Sequence, residues 1–152
     1  RDPAHLRRVI EEMSARFGPF GEGEGVLVQR MCAPATEVIV GGLRDPSFGP
    51  VVMVGLGGVA VEVLKDTVVR LAPVSIEEAR DAILEMKSAP LLLGSRGRPV
   101  ADIDALAALV STVSHVLAAA PEIAEMDLNP CLVYSEGQGV TVVDTRIRLG
   151  GS

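Results

Sequence analysis

Tryptophan is absent from this chain, and aromatic residues together make up only 3% of it. The core cannot rest on large rings, so Val, Leu, Ile and Ala must fill it. A hydrophobic content of 48% in 152 residues is enough for that, and the length suits one domain. Lysine is nearly absent too: of fourteen Lys and Arg, only Lys65 and Lys87 are lysines. The net charge is −6 and the sequence pI about 4.9, which argues against a broad nucleic-acid surface, since phosphate binding needs clustered cations. Cysteine is limited to Cys32 and Cys131, far apart and without Cys-x-x-Cys spacing. That pattern fits a reduced, cytoplasmic pair better than a disulfide. His5 and His115 lie apart from each other and from both cysteines, so a zinc site has little support. No run reaches about 18 uninterrupted apolar residues, so no transmembrane helix is expected. No signal peptide is visible. The chain starts without Met inside a helix-like segment, and the expectation is a fragment of something longer.

What is present is a series of short strands interrupted by helices. Asp2-Pro3 opens a helix, with Asp as the cap and Pro in the first turn. Leu6, Val9, Ile10 and Met13 follow at helical spacing, and Gly18-Pro19 ends the run. Val26 to Met31, Glu37 to Leu43, Val51 to Val54, Val59 to Leu64 and Val68 to Leu71 read as extended segments. Arg44 to Pro50 is rich in turn formers. Ser75-Ile76-Glu77-Glu78 is a capping box, and its helix runs through Ala79, Ala82, Ile83 and Met86. Asp102 or Asp104 starts another helix, whose apolar stripe includes Leu106, Leu109, Val110, Val113 and Leu117. No internal repeat or low-complexity segment occurs. The pattern predicts an α+β fold: a mostly antiparallel sheet with helices packed on one face.

Two acidic segments near the C-terminus carry the most chemistry. Glu125 to Pro130 and Val142 to Arg146 each read as a strand, with Glu136-Gly137-Gln138-Gly139 as the turn between them. Such a hairpin can bring the Asn129 amide oxygen and the Asp144 carboxylate together. Oxygens of this kind suit Mg²⁺, which takes one or two carboxylates plus substrate phosphates. Asp127 and Asn129 are two apart and face one side of the strand. By spacing alone, Asn129-Pro130 is equally an ordinary turn signal. Gly55-Leu56-Gly57-Gly58 could cradle phosphate or could be a plain strand-to-strand turn. It is neither a Walker A loop nor a dinucleotide fingerprint. Arg96, in the loop Gly94 to Pro99, could clamp a phosphate or simply be solvated. Arg70 invites an ion pair to Glu62 or Asp66. Glu37 could accept hydrogen bonds from a ribose or be a strand-edge charge.

Taken in order, these segments resemble a known family. The run comprises Val26 to Met31, Glu37 to Gly41, Asp45 to Pro50, Gly55 to Gly58, Glu62 to Asp66, Arg70 to Pro73, Leu92 to Pro99 and the two hairpin segments. It is similar to the ATP-grasp domain of ADP-forming acyl-CoA synthetases of the acetate–CoA ligase type, including relatives fused to protein acetyltransferases. The likeness covers about residues 5 to 149, and residues 1–152 look like the C-terminal ATP-grasp subdomain alone. The departure is Ala35, where a Gly would be expected. The resemblance implies cofactors Mg²⁺ and ATP/ADP, and partners in an N-terminal ATP-grasp half and in CoA-binding and phosphohistidine domains. The whole enzyme would convert acyl-CoA, ADP and phosphate to acid, CoA and ATP, relaying phosphoryl through a His that neither His5 nor His115 matches. Gln29, Arg30 and Met31 match the hinge bordering adenine, and Glu37 a position near ribose or phosphates. Asn129 and Asp144 match Mg²⁺ ligands, Asp127 an acid that meets the phosphohistidine, and Arg146 a residue beside the metal and phosphate. A cytoplasmic location and no nucleic-acid or membrane partner are expected. Self-association of the isolated chain through its partner-facing surface is a further expectation. The competing readings are a non-catalytic nucleotide-sensing domain of a multidomain acetyltransferase and a structural domain presenting strand edges.

Overall fold

The computed structural model describes residues 2–18, 25–58, 66–97 and 99–150, the Arg96 side chain excepted. The chain divides into two compact units, Arg1–Ala33 and Pro34–Ser152. In the first, helix α1 (Pro3–Phe17) starts where expected: the Asp2 carboxylate accepts the Ala4 N–H at 2.9 Å, and Pro3 occupies the first turn. Gly18, at φ 96°, ends it. Val26 to Met31 is not a strand; residues 25–35 carry no regular secondary structure. The segment has the strand composition, but the described residues of its own unit hold no second extended segment to complete a ladder.

The second unit is built on a six-stranded sheet in which every pairing is antiparallel. Its strands are β1 (Thr36–Asp45), β2 (Gly49–Leu56), β3 (Thr67–Leu71), β4 (Ile123–Val133), β5 (Val140–Val142) and β6 (Thr145–Leu149). The order is β3-β2-β1-β4-β5, with β6 also paired to β4. The expected strand at Val59 to Leu64 lies outside the described residues, as does Glu62. Gly55 and Leu56 belong to β2 rather than to a loop, because Gly55 pairs with both Ile39 and Thr67.

Helices α2 (Ile76–Glu85) and α4 (Ile103–Ala119) follow the side-chain caps Ser75 and Asp102, and the short helix α3 (Ala89–Leu92) lies between them. The capping box is present: the Glu78 N–H donates to Ser75 Oγ at 3.1 Å, and the Ser75 N–H to Glu78 Oε2 at 2.8 Å. The stripe of α4 buries Leu106, Val110, Val113 and Leu117 against the sheet face that carries Val38, Val40, Val52, Val54, Met126, Leu128 and Cys131. Alternation of side chains gives that face to the core and the intervening residues to the other. Gly42 lets α4 close on the sheet, since a Cβ there would meet the Leu117 side chain and the Val51 carbonyl. The buried hydroxyls of Ser111 and Ser114 are satisfied within this layer. Ser111 Oγ donates to the Val74 carbonyl at 2.9 Å, and the Val74 N–H donates to Ser114 Oγ at 3.0 Å.

Both ends of α4 are tied to the strands. At its C-terminus Arg44 of β1 donates to the Leu117 and Ala120 carbonyls at 2.6 and 3.2 Å, where cationic donors meet the helix dipole. At its N-terminus the Asp102 carboxylate accepts the Ala105 N–H at 3.1 Å and, across the fold, the Gly139 N–H of the β4–β5 turn at 2.8 Å. Those two bonds, Gly139 first, hold the Asp102 carboxyl below its ordinary 3.8. A carboxylate lowered in this way stabilises the fold above 3.8 and gives that contribution up as pH falls through its folded value. Urea midpoints recorded from about pH 6 down to about pH 2 should therefore drop through this window. The drop should be smaller in Asp102→Asn; an equal drop would assign it to other carboxylates.

Candidate functional site

The face of the sheet away from the core forms an ordered grid. One row runs Val69, Met53, Gly41, Asp127, Arg146 across five strands. The next runs Leu71, Val51, Leu43, Glu125, Arg148. A third begins Thr67, Gly55, Ile39 and ends at an irregularity in β4. The β3–β2 side of this face is apolar, and the β4–β6 side is charged.

The irregularity sits at the residues singled out for metal binding. β1 and β4 change register between Val38 and Val40: Val38 pairs with Cys131, but Val40 with Leu128. Asn129 and Pro130 together stand opposite Ile39, which is a β-bulge. Pro130 has no N–H for a ladder, so a bulge is a natural place for it. The backbone groups there turn to the other neighbour instead. The Asn129 N–H donates to the Asp144 carbonyl at 3.1 Å, and the Val143 N–H to the Pro130 carbonyl at 3.0 Å. This corrects the expectation of one strand from Val142 to Arg146. The chain leaves β5 after Val142 and enters β6 at Thr145, because Val143 and Asp144 follow the bulge rather than a regular ladder.

The bulge brings Asn129 and Asp144 side by side, both exposed. Asp144 Oδ1 accepts the Thr145 N–H at 2.8 Å, and among the described residues no donor meets its second oxygen. Asp127, half-buried, precedes Asn129 by two positions on β4 and lies opposite Arg146. The ion pairs found among the described residues are Arg70–Glu85, Arg80–Asp104 and Arg148–Glu125, the last at 3.0 Å. None of these pairs uses Asp127, Asp144, Glu37 or Arg146. One amide oxygen and one carboxylate form an open, hard-oxygen donor set. That fits a cation that keeps several waters and takes the remaining ligands from phosphate. It does not fit a closed protein cage, and among the described residues no three His, Cys, Asp or Glu side chains converge as one.

Glu37 is exposed at the start of β1, on the same face as Gly41 and therefore as Asp127. Gln29, Arg30 and Met31 belong to the Arg1–Ala33 unit, in its irregular stretch. Arg96 lies in a short 3₁₀ turn, Ser95–Gly97. Arg70 pairs with Glu85 of α2 rather than with Asp66, whose carboxylate instead accepts the Lys87 and Ser88 N–H groups at 2.9 and 2.6 Å. Arg148 was not apparent from the sequence. The i, i+2 spacing of Arg146 and Arg148 in a strand is the signal that places both on one face.

Beneath the bulge lies Cys131, fully buried, its Sγ donating to the Leu128 carbonyl at 3.4 Å. Burial pushes its thiol up to about 11. At pH 8 roughly one molecule in a thousand would carry the thiolate even with free access. Iodoacetamide at that pH should leave Cys131 unmodified in the native protein and label it after unfolding in urea; rapid native labelling at residue 131, read by peptide mass, would contradict the burial.

A family model described as an ATP-grasp domain matches residues 1–149. The chain is 42% identical to the beta subunit of acetate–CoA ligase (ADP-forming) II of Pyrococcus furiosus, covering 99% of this chain and 66% of that one. It is 50% identical to acetate–CoA ligase (ADP-forming) I of Archaeoglobus fulgidus over 93% of this chain and 20% of the relative. Among solved structures it is similar to a dinucleotide-forming acetyl-coenzyme A synthetase 1 of Candidatus Korarchaeum cryptofilum, at TM-score 0.84 and 40% identity, over 99% of this chain and 65% of that one. That synthetase was captured with coenzyme A and Mg-AMPPCP, its phosphohistidine segment pointing towards the nucleotide binding site. The chain thus spans about two thirds of the length of the beta subunit and a fifth of the single-chain ligase.

Proposed function

The chain belongs to the ATP-grasp domain family, and on that premise we propose that it is the Mg²⁺–nucleotide-binding half of an ADP-forming acyl-CoA synthetase. In this reading residues 1–152 act as the C-terminal ATP-grasp subdomain. The whole protein converts acyl-CoA, ADP and phosphate to acid, CoA and ATP, with a phosphohistidine supplied by other domains. The N-terminal ATP-grasp half and the CoA-binding and phosphohistidine domains are its partners, and the cytoplasm, where ATP and acyl-CoA meet, is its location. The observation that carries the proposal is the bulge, at which the main chain of Asn129 pairs with that of Asp144, both exposed, while Asp127 two positions before Asn129 on β4 lies opposite Arg146. The relatives are synthetases, which favours this reading over a nucleotide-sensing domain of an acetyltransferase.

The roles follow from the grid. Asn129 and Asp144 hold Mg²⁺, which when bound offsets phosphate charge and fixes the phosphoryl group for transfer. Arg146 contacts a phosphate oxygen from the neighbouring strand. Asp127 accepts the imidazole N–H of the incoming histidine, orienting the nitrogen that bears the phosphoryl group. Glu37 lies two residues from Ile39, the β1 residue opposite the bulge, about 7 Å along the strand at roughly 3.3 Å per residue, a span that suits an acceptor near the ribose or phosphates while the phosphates reach the bulge. Gln29, Arg30 and Met31 border the adenine largely through backbone groups. Phosphoryl transfer is mostly positioning and charge neutralisation, so this set supplies what such chemistry asks of a protein.

The isolated chain should show no acyl-CoA-dependent ATP formation, and clear turnover by it would reject the proposed division of the cleft. In the full-length protein, Asp144→Asn should weaken Mg²⁺ binding by about tenfold to a hundredfold or more in calorimetry. Asp127→Asn should leave Mg-nucleotide affinity near wild type and stop phosphorylation of the histidine. Unchanged Mg²⁺ affinity in the first variant, or normal histidine phosphorylation in the second, would remove that residue from its role.

A further inference from the structure

Gly57 and Gly58 follow β2 and pack against Glu37. The Gly57 N–H donates to the Glu37 carbonyl at 2.7 Å, carrying the β1–β2 ladder one step beyond the last strand residue. A Cβ on Gly57 would stand 2.8 Å from the Glu37 carbonyl carbon and 3.0 Å from its Cβ, against backbone that cannot swing aside. A Cβ on Gly58 would stand 3.2 Å from Glu37 Oε2, and Gly58 sits at φ 73°, where side chains are strained. One glycine thus meets the backbone of Glu37 and the other its carboxylate. The Gly57 N–H is already hydrogen-bonded, so it is not a free phosphate donor. The close approach to Glu37 accounts for both glycines without a bound anion.

We propose that the Gly57–Gly58 turn is a positioning element for the Glu37 carboxylate, holding it on the sheet face at the place where the nucleotide passes. This rests on the reading of Glu37 as a nucleotide contact. Glu37 is exposed, and it takes part in none of the ion pairs found among the described residues. Its direction comes from the Leu132 pairing on one flank and the glycine turn on the other. A long, flexible carboxylate gains binding strength when its freedom is removed beforehand, because less entropy is lost on contact. Bulk at position 57 or 58 would tilt or displace the carboxylate while leaving Asn129, Asp144 and Asp127 in place.

The test is a double-mutant cycle in the full-length protein, with nucleotide affinity by calorimetry, steady-state KM and kcat for the nucleotide, and melting temperature. Glu37→Gln alone should weaken nucleotide binding by about tenfold, as expected for a lost hydrogen bond to a charged group. Gly57→Ala and Gly58→Ala should each raise KM by a similar factor with kcat within about twofold. Neither glycine change should weaken binding further in the Glu37→Gln background. Gly58→Ala, whose Cβ would meet the carboxylate and whose φ of 73° adds backbone strain that the melting temperature reads, serves if Gly57→Ala does not fold. Additive losses in the double variants would overturn the proposal while leaving Glu37 as a nucleotide contact. An unchanged affinity in Glu37→Gln would overturn both.

Discussion

One additional residue in β4 is the constraint on which the rest of the site depends. Val38 and Val40 of β1 must both face the core, and they are met by Cys131 and Leu128, which must do so as well. In a regular ladder with Val38 opposite Cys131, Val40 would stand opposite Asn129 and Gly42 opposite Asp127, turning the polar residues of β4 to the core. The bulge absorbs the mismatch. Residues before and after it keep their apolar side chains inside, and Asn129 and Pro130 are lifted out of the β1 ladder towards the final strands. Their backbone groups still need partners. Val143 and Asp144 provide them, and so Asp144 arrives beside Asn129 through main-chain pairing rather than through any attraction between the two side chains.

The carboxylates of this chain fall into two populations by what their oxygens already hold. Asp45, Asp66 and Asp102 accept two backbone N–H groups each, and Glu85, Asp104 and Glu125 face arginines. Those groups shape turns, helix ends and strand pairs. Glu37, Asp127 and Asp144 are in none of the ion pairs found among the described residues; Glu37 and Asp127 share the non-core face, and Asp144 joins the bulge by its main chain. Like charge gathered on one face, with Arg146 opposite Asp127 as a cationic neighbour, is less favourable for a resting fold than for one that will receive a cation. Exposure softens the cost, because water screens charges that a buried cluster could not tolerate.

Much of this was legible before any coordinates. Helix starts could be read at Asp2, at Ser75 and at Asp102 or Asp104, of which Asp102 is the cap, because capping is local chemistry, settled within three or four residues. The apolar runs of β1, β2 and β3 could be read because alternation and turn formers bound them. The chemistry of Asn129 and Asp144 was visible as oxygens on apolar strands, but the bulge that joins them was not: Asn129-Pro130 spells an irregularity without saying which neighbour takes up the freed backbone. Val26 to Met31 has strand composition, yet a strand is a pairing, and composition carries no information about a partner. Arg70 was matched to acids close in sequence, whereas Asp66 was already occupied by the N–H groups of Lys87 and Ser88, and the partner came from α2. Gly57 read as a phosphate cradle or as a turn, because the other cause of a glycine, a neighbouring backbone pressed against it, lies in tertiary space.

Asp102 begins α4 with one oxygen and holds the Gly139 amide with the other. The first turn of a helix and the bend of a distant hairpin therefore share a single side chain. In terms of modular inheritance, neither piece is free to vary alone. A hairpin transplanted from a relative would bring its own bend geometry, and unless residue 102 came with it, the transplant would either lose its anchor or pull the helix start out of shape. Exchange between members of the family is bounded here by a carboxylate that no catalytic survey would select.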